Sequence, residues 1–285
     1  MIGIIGGTGL YQIEGLEVTD EKQIETPFGN PSAKVVIGSI GGNRAAFLPR
    51  HGVNHGLLPG EINFRANIWA LKSVGVQRVV SVSAVGSLVQ GIEPGHLVIP
   101  DQYLDFTKGK RIQTFFGNGM VAHISTAEPT CPVLTSWIHE AGKELNTNIH
   151  FRKTYACVEG PRLGTRAESF FLRQANSHVV GMTNVPEAFL AREAQLCYST
   201  IAVVTDYDCW LDDPSQHASV DKVIALYKSN LGRVQNIIAK VLTRAPSSSK
   251  TATPCTCGRA LEGAVLTSEA GLSLENKNIL EFLRR

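Results

Sequence analysis

The chain has 285 residues, of which 43% are hydrophobic and 18% are charged, so it can bury a sizeable core in one large α/β domain or two small ones, and we expect one. Its 27 Lys and Arg residues nearly balance 25 Asp and Glu residues, which excludes a strongly basic surface for nucleic acid. No apolar run has transmembrane length and no signal-peptide pattern is visible, so we expect a cytoplasmic protein with small-molecule substrates and no membrane partner.

Short β-branched runs alternate with longer segments of helical period, a pattern typical of a sheet covered by helices. In chain order, the strands are expected at 1–5, 35–37, 45–48, 79–83, 97–99, 179–182 and 200–205. Several of them are apolar throughout, as strands buried on both faces are. Helices are expected at 61–74, 132–145, 165–175, 186–196 and 219–242. The sequence therefore predicts a single α/β domain over 1–244.

The segment 245–254 is rich in Ser, Thr and Pro and poor in core residues, which predicts a surface linker. Beyond it, residues 255–285 are predicted to form a tail with a short helix. We expect this tail to pack on the domain or on a neighbouring subunit.

Six cysteines are too few in a chain of this length for a disulfide-dense scaffold. We expect four of them to be small residues in apolar surroundings: Cys131, Cys157, Cys197 and Cys209. The Cys255-x-Cys257 pair lacks the spacing and the partner histidine of a zinc site, so no metal site is predicted. A redox or disulfide role for that pair stays open.

The first strand leads directly into Gly6-Gly7-Thr8-Gly9. Glycines let backbone N–H groups approach an anion, and the Thr8 hydroxyl adds a donor. The turn lacks the third glycine of a dinucleotide fingerprint and the Gly-Lys-Ser/Thr of a P-loop. It indicates a phosphate cradle or a plain turn at the end of a strand.

Polar residues also follow the later strands. Arg50 and His51 come after an apolar strand, at the end where α/β sheets bind ligands, and the planar fork of Arg suits phosphate oxygens. Ser83 and Ala84 offer a hydroxyl and open backbone at the next strand end, and Thr183 precedes a helix N-terminus. Each of them alone is equally compatible with a surface or capping role, whereas their convergence would form an anion site.

The apolar strand that ends near Thr205 delivers two carboxylates, Asp206 and Asp208, at a spacing of two. If the strand pleat persists, both face the same way, and their proximity raises one pKa, which suits a general acid. One protonated and one ionised carboxyl would match the acceptor N7 and the donor N6 of adenine. The alternative is one helix-capping and one solvated aspartate.

Motifs for other chemistries are absent from the sequence. There is no His-Glu-x-x-His zinc motif and no Gly-x-Ser-x-Gly elbow, which disfavours metal-assisted hydrolysis and serine acyl transfer. A nicotinamide-dependent oxidoreductase is disfavoured by the missing third glycine. A nucleoside-binding protein without catalysis needs the same pocket and stays open.

Seven segments together resemble one known family, the 5′-methylthioadenosine phosphorylase branch of the trimeric purine nucleoside phosphorylases. The resemblance extends from Gly3 to about Leu242 and rests on the motifs GIIGGTGL, TPFGNPS, RHG, NFRANIWALK, EGPRLGTRAE, MTNVPE and TDYDCW. It implies a central mixed β-sheet covered by helices, inorganic phosphate as co-substrate, no cofactor, and a homotrimer or a hexamer of two trimers. The implied reaction is phosphorolysis of 5′-methylthioadenosine, with inosine, guanosine or adenosine as alternative substrates.

The resemblance also implies roles for individual residues. The phosphate would be bound by Thr8, Arg50, His51, Ser83, Ala84 and Thr183. The nucleoside would be bound by Met182 through its backbone at the ribose, by Asp206 at N7 and Asp208 at N6, by Val220 and Val223 at the methylthio group, and by His123 of a neighbouring subunit.

Two features of this sequence concern the details of that family. Leu163 stands where several relatives place a phenylalanine against the purine, so we expect weaker stacking on the base. The Cys255-x-Cys257 pair resembles the cysteine pair of some thermostable members, in which disulfides occur.

Overall fold

The computed structural model describes residues 1–7, 15–244 and 255–285, so the predicted donor Thr8 and the predicted linker 245–254 lie outside the described residues. Nine strands of the described segments form one sheet: β1 (Ile2–Gly6), β2 (Leu16–Lys22), β3 (Val35–Ile40), β4 (Asn43–Pro49), β5 (Arg78–Ser87), β6 (Leu97–Phe106), β7 (Ile149–Val158), β8 (Val179–Gly181) and β9 (Cys197–Asp206). In these segments no helix is long and apolar enough to cross a membrane.

The sheet has the order β2-β3-β4-β1-β5-β8-β7-β6-β9. β1 lies parallel between β4 and β5, while β3 runs antiparallel to both β2 and β4. A further parallel pairing of β5 with β9 closes the strands from β5 to β9 into a ring. Because parallel and antiparallel pairs coexist, the expected mixed sheet of an α/β domain is confirmed.

Helices cover both faces of the sheet. They are α1 (Phe64–Ser73), α2 (Pro132–Glu144), α3 (Arg166–Gln174), α4 (Asn184–Glu193), α5 (Val220–Arg244) and α6 (Leu274–Arg284). One apolar cluster joins α1, α4 and α6 to the sheet, and a second joins α2 and α5 to it. The apolar strands are therefore buried on both faces, and burial at about 25 cal/mol per Å² stabilises this layered arrangement.

Local sequence sets the helix ends. Asn63 caps α1 by accepting a hydrogen bond from the Ala66 N–H, so this helix begins at Phe64, three residues after the predicted start. Thr165 and Glu168 form a reciprocal capping box at the start of α3. In α4, Val185 is not helical, so the regular helix begins at Pro186 as predicted.

Two strands were not predicted. β2 is an edge strand with exposed, mostly charged or polar residues, and an edge strand needs no buried face. β7 has mixed polarity, and Arg152 has a φ of 54° where the pairing with β6 shifts register. Neither segment shows the apolar run from which the other strands were predicted.

The tail packs against the body of the same chain. The Phe282 ring of α6 stacks on Trp69 of α1 with ring centroids 3.7 Å apart. The Ala264 carbonyl accepts a hydrogen bond from the His123 N–H, and Val265 pairs with Ala122. The tail therefore lies beside the segment that carries His123.

Cys131 and Cys197 lie in the apolar cluster that joins α2 and α5 to the sheet, as expected for small residues in apolar surroundings. The sequence did not predict that their sulfurs and those of Cys255 and Cys257 all lie within 4.8 Å of one another. The chain brings them together because Cys131 precedes α2, Cys197 begins β9, and the tail returns to both. Sequence spacing alone cannot show such an encounter.

Candidate active site

The polar residues predicted for the site are arranged along strand β5. Ser81, Ser83 and Gly86 follow one another on this strand, and Gly86 pairs with Asp206 at the end of β9. Three residues of extended strand separate Ser83 from Gly86, which is about 10 Å. The anion-binding candidates and the two carboxylates therefore lie at opposite ends of one stretch of β5.

Arg50 is the most tightly held of these residues. Its side chain is 1% exposed, and its Nε and Nη2 donate to the two carboxylate oxygens of Glu187 at 2.7 and 2.8 Å. Nη2 also donates to Ser81 Oγ at 2.7 Å, and Nη1 donates to the Val82 carbonyl at 2.9 Å. Burial alone would lower the pKa of Arg50, but attraction to Glu187 outweighs this and raises it, so the guanidinium stays charged.

This arrangement corrects the expected role of the Arg50 fork. The edge formed by Nε and Nη2 binds Glu187 and is not open to phosphate oxygens. Nη1 has two hydrogens and, among the described residues, one acceptor. One N–H of Arg50 is thus left for an anion, instead of a bidentate pair.

His51 follows Arg50 and is half-buried. Its Nδ1 lies 2.8 Å from the Leu57 carbonyl, and its ring stacks on His55 with centroids 4.3 Å apart. Burial lowers the pKa of His51 to about 4, so its imidazole is neutral near pH 7. With the Nδ1 proton donated to Leu57, Nε2 is an acceptor that suits a protonated phosphate oxygen.

Asn184 connects β5 to the start of α4. Its Nδ2 donates to the hydroxyls of Tyr198 and Thr200, both at 2.7 Å, and its Oδ1 accepts from Ser83 Oγ at 3.2 Å. The bond from Ser83 is long for a hydroxyl donor, so that hydroxyl can turn to an anion. Ala84 follows Ser83 on β5 and is partly exposed.

Thr183 differs from its neighbours because its hydroxyl is unsatisfied. The residue is 7% exposed, and its Oγ1 has no hydrogen-bond partner among the described residues. It precedes α4, but its side chain makes no capping bond to that helix. A buried hydroxyl without a partner is costly, and an anion at the adjacent N-terminus of α4 would supply an acceptor for it.

The two carboxylates after Thr205 are both buried. Asp206 accepts hydrogen bonds from Thr205 Oγ1 and from the Asp208 N–H, each at 2.7 Å. Burial raises the pKa of Asp206 against the effect of these two bonds, and burial likewise raises the pKa of Asp208. Both groups can therefore take up a proton more readily than an exposed aspartate.

The strand pleat does not continue from Asp206 to Asp208. The sequence analysis expected both side chains to face the same way only if the pleat persisted. β9 ends at Asp206, and Asp208 has a φ of 54°, in the left-handed region. Gly86 leaves room for the turn, since a Cβ there would lie 2.8 Å from Asp206 Oδ1 and 3.2 Å from the Asp208 Cβ. The left-handed turn at Asp208 therefore sets the relative orientation of the two groups.

The segment before α3 lies against Asp208. A Cβ on Gly164 would lie 3.8 Å from Asp208 Oδ1, and the adjacent Leu163 is 41% exposed. The segment that carries Leu163 therefore lies beside Asp208.

Arg111 holds the strand end that carries Met182. Its Nη1 donates to the carbonyls of Met182 at 2.8 Å and Val185 at 2.6 Å, and its Nε pairs with Glu159 at 3.0 Å. The Met182 carbonyl is therefore already an acceptor for Arg111, which limits what it can offer to a ribose. Arg111 instead fixes the backbone on both sides of Thr183.

Val220 and Val223 share one face of α5 with Tyr227. Val220 is 63% exposed, while Val223 is partly buried. The buried Tyr227 hydroxyl has no partner among the described residues, and it would lie 3.7 Å from a Cβ on Gly7. Tyr227 on this face of α5 therefore lies close to Gly7.

A cavity of about 540 Å³ adjoins the other side of Asp206. It is lined by Asp206 itself, Thr205, Tyr207 and the opposite face of α5, including Lys222 and Leu226, and by none of the predicted phosphate ligands that belong to the described residues. Because it excludes those ligands, we place the candidate site on the Gly7 side of α5 instead.

His123 is exposed on the segment that pairs with the tail. The single chain brings it into contact with Ala264. The position is open to contact from another subunit, which is where the resemblance implies that it acts.

Four residues of this region were not singled out in the sequence: Glu187, Asn184, Arg111 and Tyr227. Glu187 and Asn184 lie within the MTNVPE motif, so the signal for them was the motif itself, directly after Thr183. Arg111 and Tyr227 carried no such signal, because only the fold brings them to Met182 and Gly7.

Comparison with known proteins gives consistent matches over the whole chain. A sequence profile of the Phosphorylase superfamily matches residues 1–243. The S-methyl-5′-thioadenosine phosphorylase of Geobacter sulfurreducens is 47% identical over 283 residues, covering 99% of this chain and 97% of that protein. The enzyme of the same name from Thermococcus kodakarensis is 49% identical over 245 residues, covering 86% and 93%.

Solved structures agree. A methylthioadenosine phosphorylase from an antarctic soil metagenomic library superposes with a TM-score of 0.92 at 43% identity, covering 99% of this chain and 98% of the other. An adenosine/methylthioadenosine phosphorylase variant from Schistosoma mansoni in complex with adenine has a TM-score of 0.84 at 32% identity, covering 98% and 97%. These matches confirm the family and the fold expected from the motifs.

Proposed function

Because this chain belongs to the phosphorylase superfamily, we propose that it cleaves 5′-methylthioadenosine with inorganic phosphate, giving adenine and 5-methylthioribose 1-phosphate. The observation that carries the proposal is the arrangement along β5. The Thr183 hydroxyl and one N–H of Arg50, both without a partner among the described residues, lie at one end, and two buried carboxyls lie at the other. The stretch of about 10 Å from Ser83 to Gly86 between these groups suits a nucleoside.

The first step of the proposed reaction is positioning of the phosphate. Its oxygens accept hydrogen bonds from Arg50, Thr183 and Ser83, and the N-terminus of α4 adds a favourable dipole. Neutral His51 accepts a hydrogen bond from a protonated phosphate oxygen through Nε2 and does not take up the proton. Thr8 and the backbone of Ala84 complete the proposed anion site.

In the chemical step, a phosphate oxygen forms a bond to C1′ while the bond from C1′ to N9 of the base breaks. The electron pair of that bond passes to the purine, and protonated Asp206 delivers its proton to N7 as the base leaves. The phosphate charge stabilises the positive charge that develops on the sugar. Asp208 accepts a hydrogen bond from the N6 amino group, and Leu163 packs on the base. Val220 and Val223 contact the methylthio group.

An adenine-release assay tests the proposal. Methylthioadenosine, adenosine and inosine are supplied separately at equal concentration, with and without inorganic phosphate. We expect release from methylthioadenosine that depends on phosphate and exceeds release from the other two. Release of hypoxanthine from inosine as the preferred reaction would contradict the adenine assignment, and no release at any phosphate level would indicate a binding protein.

We also propose a cytoplasmic homotrimer, with His123 of one subunit at the methylthio end of the next site. The exposed phenylalanines of α3, Phe170 at 43% and Phe171 at 55%, support an apolar surface for contact between subunits. Light scattering after size exclusion separates a trimer from a hexamer. A monomer in that measurement would contradict the shared site.

A further inference from the structure

Four of the six cysteines form a cluster at the end of β9 opposite to Asp206. Cys131 directly precedes α2, Cys197 begins β9, and Cys255 and Cys257 come from the tail. Their four sulfur atoms all lie within 4.8 Å of one another. The cluster therefore joins three parts of the chain at a single point.

The distances fit coordination of a common atom better than disulfide bonds. All four cysteines are free, and the Sγ atoms of Cys197 and Cys255 are 3.5 Å apart. Disulfide sulfurs are about 2.0 Å apart. Four thiolates around one zinc ion, with bonds of about 2.3 Å in a tetrahedron, place their sulfurs about 3.8 Å apart.

The surroundings of the sulfurs favour negative charge. Cys131 occupies the N-cap of α2, where its Sγ accepts a hydrogen bond from the Leu134 N–H at 3.5 Å. The Arg192 guanidinium donates to Cys257 Sγ at 3.6 Å. A helix N-terminus and a cation both stabilise the excess negative charge of a tetrathiolate site.

A metal ion bound by all four sulfurs would displace their protons, because cysteine binds a metal as the thiolate.

We propose that Cys131, Cys197, Cys255 and Cys257 bind one Zn²⁺ ion as a closed tetrathiolate site. With four protein ligands, no coordination position is open to a substrate, so the site is structural. It fixes the tail to the body of the chain directly after the linker 245–254. From there the tail reaches the segment that carries His123, and the site thereby holds that segment in place.

Elemental analysis of the full chain, purified without chelator and without oxygen, tests the proposal. We expect one zinc ion per chain, and after exchange with Co²⁺ the visible absorption of a tetrahedral cobalt thiolate. The double variant Cys255→Ser/Cys257→Ser should lose both. The matched controls Cys157→Ser and Cys209→Ser remove cysteines outside the cluster and should retain them.

Zinc should also stabilise the wild-type chain. A strong chelator is expected to lower its Tm to that of the double variant and to leave the Tm of the double variant unchanged. The proposal is overturned if the wild-type chain contains no zinc and takes up no Co²⁺, whether its thiols are free or peptide mapping finds disulfides within the cluster. This result needs only the wild-type chain, so it decides the question even if the double variant does not fold.

Discussion

The two ends of the β5 segment are built from charged groups in opposite ways. At the anion end, buried Arg50 is paired with buried Glu187 through two hydrogen bonds, and its neighbours Asn184 and Tyr198 are bonded to one another. The proposed purine end consists of Asp206 and Asp208 beside Gly86. No Lys or Arg of the described residues forms an ion pair with either of these carboxylates, and burial raises the pKa of both. The anion end therefore keeps the positive charge of Arg50 in a fixed position, whereas a carboxylate at the purine end can take up or release a proton.

The largest expected effect comes from breaking the fixed pair. Glu187→Gln leaves the Arg50 charge buried without its counterion and should lower the free energy of unfolding by about 3–5 kcal/mol. Urea denaturation followed by circular dichroism measures this loss. The matched control is Glu140→Gln, which removes the partially exposed partner of Arg244 and should cost less than about 1 kcal/mol.

A double variant distinguishes the effect of the buried Arg50 charge on stability from its effect on phosphate binding. Arg50→Met combined with Glu187→Gln removes the buried charge and should recover part of the lost stability, while phosphate affinity stays low. Full stability in Glu187→Gln alone would show that Arg50 does not depend on Glu187.

At the purine end, the expected effect is on catalysis and not on folding. Asp206→Asn should lower kcat by about 100-fold, the usual contribution of a general acid. Steady-state adenine release measures it, with Asp213→Asn as the control, since Asp213 caps a turn in an exposed loop. Turnover close to that of the wild-type enzyme would remove Asp206 from the acid role.

The pH dependence of kcat gives a second measure of the same group. Asp206 must be protonated to act as an acid, so kcat should fall as the pH rises through its pKa. Because burial raises that pKa, the fall should begin above the pH at which an ordinary aspartate ionises. The Asn variant should lack this limb, and an unchanged profile in that variant would assign the limb to another group.

Thr183 differs from Arg50 and Asn184 because its hydroxyl has no hydrogen-bond partner among the described residues. Thr183→Val should raise the KM for phosphate roughly 10-fold or more, since a hydrogen bond to a charged group contributes about 1.5–3 kcal/mol. Its Tm should change little, because the Thr183 hydroxyl has no hydrogen-bond partner within 3.5 Å among the described residues. Ser177→Ala is the control, as Ser177 is also buried with an unpartnered hydroxyl but was assigned no ligand; equal phosphate KM values in both variants would contradict the role of Thr183.

Sequence patterns predicted the two carboxylates, Asp206 and Asp208, more completely than the environment of Arg50. The apolar strand before Asp206 and the carboxylates themselves were visible in the chain. The ion pair between Arg50 and Glu187 was not visible in the sequence, because the two residues are 137 positions apart and each alone resembles a surface residue. Pairing over such a separation depends on the order of strands in the sheet, which no local pattern encodes.

The same limit explains the other differences. The strand β2 is an exposed edge without an apolar run, and the left-handed turn at Asp208 depends on the space left by Gly86 across the sheet. The cysteine cluster likewise joins segments that lie far apart in the chain. Helices, by contrast, were predicted to within a few residues because their caps, such as Thr165 with Glu168, are local.

The smallest expected effect tests how the purine end holds its base. Leu163 is 41% exposed beside Gly164, so Leu163→Phe has space for a ring that can stack on the purine. An aromatic contact contributes about 0.5–1.5 kcal/mol, so the KM for methylthioadenosine should fall roughly 2- to 10-fold. The KM for phosphate should not change, because the anion end is untouched, and Leu274→Phe on the surface of α6 should change neither. An unchanged nucleoside KM in Leu163→Phe would place this side chain away from the base and leave Asp206 and Asp208 as its only assigned contacts.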